Sequence, residues 1–186
     1  MGLDYSRGCV NFRDVGEYVN LIAQTEVLPE KRILRGGKLD DVPSLEAIGN
    51  PHTIINLRRG EDTVFPTIAN YHFPISNDYE KYDTRDKEVR RWLNRVVQIF
   101  ENPHLDYPVL IHCTSGKDRT GVVVAALLWM LAVPENIIVE EYLLSDGEIN
   151  KDWIASSLEG MKSHTNYFYR VDSHIVRSHI LGVQDL

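Results

Sequence analysis

The sequence predicts an α/β domain: a mainly parallel central sheet flanked by helices, with a helical C-terminal half. Three observations carry this. The apolar runs at 54–55 and 109–111 are continuous rather than alternating, as strands covered on both faces require. Strand-like and helix-like stretches alternate through the first two thirds of the chain. From residue 119 onward only helical periodicity remains.

The elements follow in order. Residues 31–34, 53–57, 71–75 and 109–112 read as strands. Residues 43–48 read as a short helix. Residues 88–100 read as a longer one, with Val89, Leu93, Val96, Val97 and Phe100 on one stripe. A helix over 119–131 stops before Pro134, and another restarts over 135–144. Helices over 150–162 and 172–181 complete the chain. No repeat, low-complexity tract or linker interrupts it, so one domain over residues 1–186 is expected.

Composition narrows the function classes. With 186 residues the chain can bury a real core, and 43% hydrophobic with 25% charged residues excludes a disordered chain. The longest apolar run, 122–133, is too short to cross a bilayer. No basic–apolar leader opens the sequence, and a cytoplasmic protein without a transmembrane segment is expected. Two cysteines, Cys9 and Cys113, are too few for a disulfide framework and suit a reducing compartment. The net charge of −7 argues against nucleic acid as a partner and against bulk attraction to anionic membrane. A local basic pocket remains open to Arg58 and Arg59, or to Lys87, Arg90, Arg91 and Arg95, which otherwise read as a solvated helix face. Residues 1–6 fit an N-myristoylation pattern short enough to arise by chance. His174 and His179 lie five apart, which is not the spacing of metal ligands on one helix face, so no metal and no cofactor are expected.

The chemistry concentrates in His112-Cys113-Thr114-Ser115-Gly116-Lys117-Asp118-Arg119-Thr120-Gly121. A strand runs into a tight loop and the loop into a helix N-terminus. Backbone N–H groups of such a loop, with the first free amides of the helix, converge on one anion. Gly116 permits a backbone that a Cβ would resist. Arg119 offers a planar fork for two phosphoryl oxygens. The helix N-terminus and Arg119 favour the thiolate of Cys113 over the thiol. Thr120 can donate a hydrogen bond to that sulfur. Lys117 either adds a second cation to the pocket or points to solvent.

This run resembles the signature loop of the cysteine-dependent protein tyrosine phosphatase superfamily, most closely its dual-specificity-like branch. The Gly-Lys-Asp-Arg ending resembles bacterial tyrosine and phosphoinositide phosphatases. Residues 11–16 (Asn-Phe-Arg-Asp-Val-Gly), 35–39 (Arg-Gly-Gly-Lys-Leu), 54–58 (Ile-Ile-Asn-Leu-Arg) and 142–144 (Tyr-Leu-Leu) resemble further blocks of that subset. The chain departs from it at Glu17, Gly36 and Asn56, where glycine, serine or threonine, and aspartate are expected.

The resemblance implies a phosphatase-type sandwich with the loop at the C-terminal edge of a central strand. It implies phosphomonoester hydrolysis through a cysteinyl-phosphate, on phosphotyrosine proteins, with dual-specificity or phosphoinositide activity alongside. Cys113 would be the nucleophile, and Arg119 with the amides of Thr114, Ser115, Gly116, Lys117, Asp118 and Arg119 would bind the phosphoryl group. His112 would support the cysteine. A carboxylic acid must protonate the departing oxygen. Asp118, within the loop, is preferred. Asp78, on the stretch after the strand at 71–75, is the alternative, with Asp83 and Asp86 behind it. Asn11 to Asp14 reads as scaffolding that braces the loop. Two other chemistries fit a loop cysteine: a phosphate-binding module without turnover, and a sulfur transferase of rhodanese type.

Overall fold

The computed structural model describes residues 8–62, 65–79 and 82–183. The acylation pattern at 1–6 lies outside the described residues. Five strands form one sheet: β1 (Arg13–Asp14), β2 (Ile33–Gly36), β3 (Thr53–Asn56), β4 (Ala69–His72) and β5 (Val109–His112). Their order is β1-β2-β5-β3-β4, so β5 sits in the centre. β2, β5, β3 and β4 run parallel, and only β1 is antiparallel to its neighbour. Gly36, His112, Asn56 and His72 lie in one row across the sheet. The C-terminal ends of the parallel strands therefore open on one edge, where α/β sheets bind ligands.

Six helices accompany the strands: α1 (Val15–Ala23), α2 (Lys87–Gln98), α3 (Asp118–Met130), α4 (Glu135–Leu143), α5 (Lys151–Lys162) and α6 (Ser173–Leu181). All six contribute to one large core, which meets the sheet through Ile33, Ile55, Val109 and Ile111. The opposite sheet face is covered by a smaller cluster of Cys9, Leu34, Leu39, Ile48, Ile54 and Leu110. Apolar residues thus alternate between two buried faces along β3 and β5, whose apolar stretches read as unbroken runs. α3 is buried along nearly its whole length, which explains its weak amphipathic pattern. No helix among the described residues is long and apolar enough to cross a membrane.

Several expected elements shift. The strand expected at 71–75 is Ala69–His72. Pro74 cannot donate to a ladder, and this edge strand is mostly exposed, so apolar patterning is a poor guide to its position. β2 extends to Gly36 rather than ending at Leu34, because Arg35 is wholly buried and paired. The helix expected at 43–48 is a single 3-10 turn, Glu46–Ile48, closed by Gly49 in the left-handed region. The helix expected to reach residue 100 ends at Gln98 and tightens into a 3-10 turn. β1 and α1 are not apparent from patterning. Helix α1 starts where the Asp14 side chain accepts from the Gly16 amide.

Candidate active site

Cys113 follows β5 and is 1% exposed. The loop after it is held by its carbonyls. The Lys38 amide donates to the Thr114 carbonyl (3.0 Å). Asn11 Nδ2 donates to that of Ser115 (2.8 Å), and Arg35 Nη2 to that of Gly116 (2.9 Å). The Lys117 carbonyl takes the Gly121 amide (2.6 Å), the first turn of α3. Three successive carbonyls are thus engaged on the scaffold and the fourth on the helix, an arrangement that suits an anion-binding nest formed by the amides of the same loop.

Gly116 has φ +66°, and a Cβ there would lie 2.5 Å from the backbone of Gly36. The loop thus rests directly on the end of β2. The expected serine or threonine at position 36 is replaced by a pairing: Cys9 Sγ would lie 2.6 Å from a Cβ on Gly36. The cysteine fills that volume and donates to the Gly37 carbonyl (3.6 Å). Both cysteines are buried. At position 56, Asn56 Nδ2 donates to the Gly60 carbonyl (3.0 Å), a bond that the expected aspartate could not make.

Helix α3 begins differently from most of its neighbours. α1, α2, α5 and α6 are capped by the side chains of Asp14, Asp86, Asn150 and Asp172. α3 starts at Lys117 without a side-chain cap. Its leading amides and the positive end of its dipole are therefore open to an anion.

Arg119 is 8% exposed. Its Nη1 donates to the Leu57 carbonyl (3.2 Å) and its Nη2 to Thr114 Oγ1 (3.1 Å). No carboxylate among the described residues pairs with it, so its charge and remaining donors are available to a ligand. His112 is fully buried, with Nε2 2.6 Å from Asp62 Oδ2. The Thr120 hydroxyl is buried and has no partner among the described residues, which suits a group awaiting a charged sulfur.

The expected acids separate. Asp118 opens α3 and accepts from the Tyr142 hydroxyl (3.1 Å). Asp78 is exposed, and its carboxylate is taken by Ser76 Oγ (2.5 Å). Asp83 is bound by Arg85 (2.8 Å), and Asp86 caps α2. Tyr82 is what this segment brings to the loop: its ring lies 5.9 Å from Arg119 Cζ. Burial pushes its phenol above the ordinary range, against the opposing charge of Arg119.

Lys117 neither floats in solvent nor stands free. Its Nζ donates to the Glu148 carbonyl (2.6 Å) and lies 4.0 Å from Asp118 Oδ2. Arg58 is paired with Asp40 (2.8 Å) and Lys38 with Asp41 (3.0 Å). On α2, Arg90 binds the Tyr167 carbonyl (3.0 Å) and Arg91 pairs with Glu88 (2.8 Å), away from the loop.

Behind the loop lies a buried ion triad that patterning missed. Arg13 Nε and Arg35 Nη1 donate to the two oxygens of Glu141 (2.8 and 2.6 Å). Arg13 is thus paired with a residue 128 positions away, and not with Asp14 or Asp118. Burial pushes the Glu141 carboxyl up, but the two guanidiniums outweigh it and hold the carboxyl below its ordinary value. Arg35 is pushed down to about 10 by burial and by Arg13, and stays charged at neutral pH. The signal for Glu141 was a charge within the apolar face of 137–144; nothing local named its partners.

A model of the tyrosine phosphatase family matches residues 5–184. The triple specificity protein phosphatase PtpB of Mycobacterium tuberculosis is 37% identical over 75 residues, 40% of this chain and 26% of that protein. A tyrosine-protein phosphatase of Nostoc commune is 50% identical over 40 residues, 22% of this chain and 14% of that protein. The chain thus matches about a quarter or less of the length of these relatives. Among solved structures, P. aeruginosa TpbA aligns over 81% of this chain and 86% of its own, with TM-score 0.50 and 16% identity. The catalytic core of the S. cerevisiae PP-IP phosphatase SIW14 aligns over 76% and 94%, with TM-score 0.50 and 19% identity. These two likenesses are of fold.

Proposed function

Because the chain belongs to the tyrosine phosphatase family, we propose that it is a cysteine-dependent phosphomonoester hydrolase, with residues 1–186 acting as one cytoplasmic domain. The proposed substrate is phosphotyrosine in protein. TpbA has been crystallised with phosphotyrosine, and PtpB carries a triple specificity in its name. The cations nearest the loop are already engaged, Lys38 and Arg58 by aspartates and Lys117 by a carbonyl. This favours a single phosphate on an aromatic alcohol over a phosphoinositide headgroup. A count of two cysteines, too few for a disulfide framework, supports a reducing compartment.

The observation that carries the proposal is the outward tethering of the carbonyls of residues 114–117. The amides of 114–119 and Arg119 hold the phosphoryl oxygens. The Cys113 thiolate attacks phosphorus; the S–P bond forms, the P–O bond breaks, and Asp118 gives its proton to the departing oxygen. Water then attacks phosphorus and yields its proton to Asp118, while the P–S bond breaks and the thiolate returns. Thr120 donates to the leaving sulfur in that step. His112, fixed by Asp62, supports the strand end that carries Cys113.

Cys113→Ser should abolish turnover of p-nitrophenyl phosphate and phosphotyrosine peptides yet still bind phosphate by calorimetry, because the tethered amides remain. Vanadate should inhibit the wild type and EDTA should not. Turnover surviving in Cys113→Ser, or lost on chelation, overturns the mechanism. A wild type that binds phosphate without turnover is a phosphate-binding module, and one that turns over thiosulfate instead is a sulfur transferase.

A further inference from the structure

Tyr142 is the penultimate residue of α4 and is 3% exposed. Its ring lies against the first turn of α3. A Cβ on Gly121 would meet the ring carbons at 2.6 and 2.8 Å, so the glycine leaves the room that the ring occupies. From there the phenol donates to Asp118 Oδ1 (3.1 Å). Burial, reinforced by the charge of Asp118, pushes the phenol far above its ordinary value, so it keeps its proton wherever the protein is folded.

The two oxygens of Asp118 are thereby made unequal. Oδ1 is held by a permanent donor. Oδ2 lies 4.0 Å from Lys117 Nζ, and that amine already donates to the Glu148 carbonyl. A donor fixed on Oδ1 leaves Oδ2 as the oxygen to carry a proton, and it fixes the direction in which that proton points. The small cavity beside this pair is completed by Val122 from α3 with Trp153, Ile154 and Ser157 from α5, none of them charged. The charge near Tyr142 besides Asp118 is Arg35, which is committed to Glu141.

We propose that Tyr142 is a positioning residue for proton transfer, holding Asp118 by one oxygen so that the other delivers its proton to the departing alcohol and recovers one from water. This rests on the assignment of Asp118 as the acid. In the first step the proton passes from Asp118 Oδ2 to the oxygen leaving phosphorus, and in the second it returns from the attacking water. The Tyr142 proton stays on its own oxygen throughout. Gly121 belongs to the same device, since it seats the ring. Glu141, the preceding residue on α4, clamps Arg35, which ties the Gly116 carbonyl. One turn of α4 thus holds both the cradle and the acid.

The test is a double-mutant cycle of Tyr142→Phe and Asp118→Asn, read on a phosphotyrosine peptide and on an aryl phosphate with an activated leaving group. Proton delivery matters most when the leaving oxygen is basic. Tyr142→Phe should lower kcat on the phosphotyrosine peptide by roughly 5- to 50-fold, less than the full general-acid effect. KM should not move, and the activated ester should be little affected. Adding Tyr142→Phe to Asp118→Asn should cost nothing further on either substrate, because residues that act as a unit are non-additive. Equal losses on both esters in Tyr142→Phe, or independent losses in the double variant, would make Tyr142 a packing residue and overturn the proposal. If Asp118→Asn itself loses no more on the phosphotyrosine peptide than on the activated ester, the acid assignment fails first. Circular dichroism and thermal melting of Tyr142→Phe, which keeps the ring, check that the fold is intact.

Discussion

Thr114 of the signature loop and Tyr82 of the segment after β4 both come close to Arg119, but the loop and the aspartates of that segment are held by different means. The signature loop is tied by Arg35 and Asn11, which lie 81 and 104 positions away from the groups they bind. The segment after β4 has a long-range anchor of its own at Thr84, which donates to the Ser157 carbonyl and accepts from Tyr167 at its own carbonyl. Its aspartates, however, bond only near neighbours: Ser76 to Asp78, Arg85 to Asp83, and Asp86 to the first amides of α2. Local bonds make turns and caps that could form in any setting. Long-range bonds to a sheet edge orient successive carbonyls and therefore amides. The difference shows where chemistry can be placed with accuracy: an acid on the tethered loop shares its frame with the nucleophile, while the aspartates of 78–86 are occupied in building their own turns.

The most direct way to break this comparison is to remove an acid from each region. Asp118→Asn should slow phosphotyrosine hydrolysis by roughly 10²–10⁴-fold, and an activated aryl phosphate much less. Asp78→Asn should leave both near wild type. Steady-state kinetics on the two esters would reverse the assignment if the steep leaving-group dependence appeared in the Asp78 variant.

Loosening the tethers should come next. Glu141→Gln leaves Arg13 and Arg35 buried without a full counter-charge, which should destabilise the fold by about 3–5 kcal/mol at neutral pH. The sign with pH follows from the direction of the Glu141 value, which burial raises and the two guanidiniums lower further still. A carboxyl held below its unfolded value stabilises the fold fully above about pH 4.3 and loses that contribution as pH falls through the folded value. Wild type and Glu141→Gln should therefore converge in urea unfolding at acid pH. A gap that stays constant while pH falls through the folded value, located from the wild type's own stability–pH curve, would show that the charge is not what matters.

The smallest effect tests the local region. Asp86→Ala removes the cap of α2 and should cost about 1 kcal/mol of stability. Phosphate affinity should not change, because the cradle takes nothing from that cap. A parallel loss of phosphate binding, measured by calorimetry, would mean that the segment at 76–86 shapes the loop more than its hydrogen bonds indicate.

Much of this protein could be read without coordinates. Chemistry confined to a few consecutive residues leaves a local trace. The run from His112 to Gly121 specified a thiol, a fork and a helix start, and the unbroken apolar runs at 54–55 and 109–111 marked the inner strands. What depended on distant partners left none. A buried Arg13 or Arg35 looks like any surface arginine until Glu141 is placed between them. Tyr142 could be quoted as part of a recurring block, but its hold on Asp118 exists only because α4 packs across Gly121. Tyr82 reaches Arg119 from a segment whose composition advertised only its aspartates. The sequence by itself determined the reactive groups and their spacing, since covalent proximity sets both. The tertiary structure alone decided what binds each candidate acid, Tyr142 for Asp118 and local partners for Asp78, Asp83 and Asp86, and what ties the loop carbonyls, because burial and long-range hydrogen bonds set those contacts and neither is encoded in neighbouring residues.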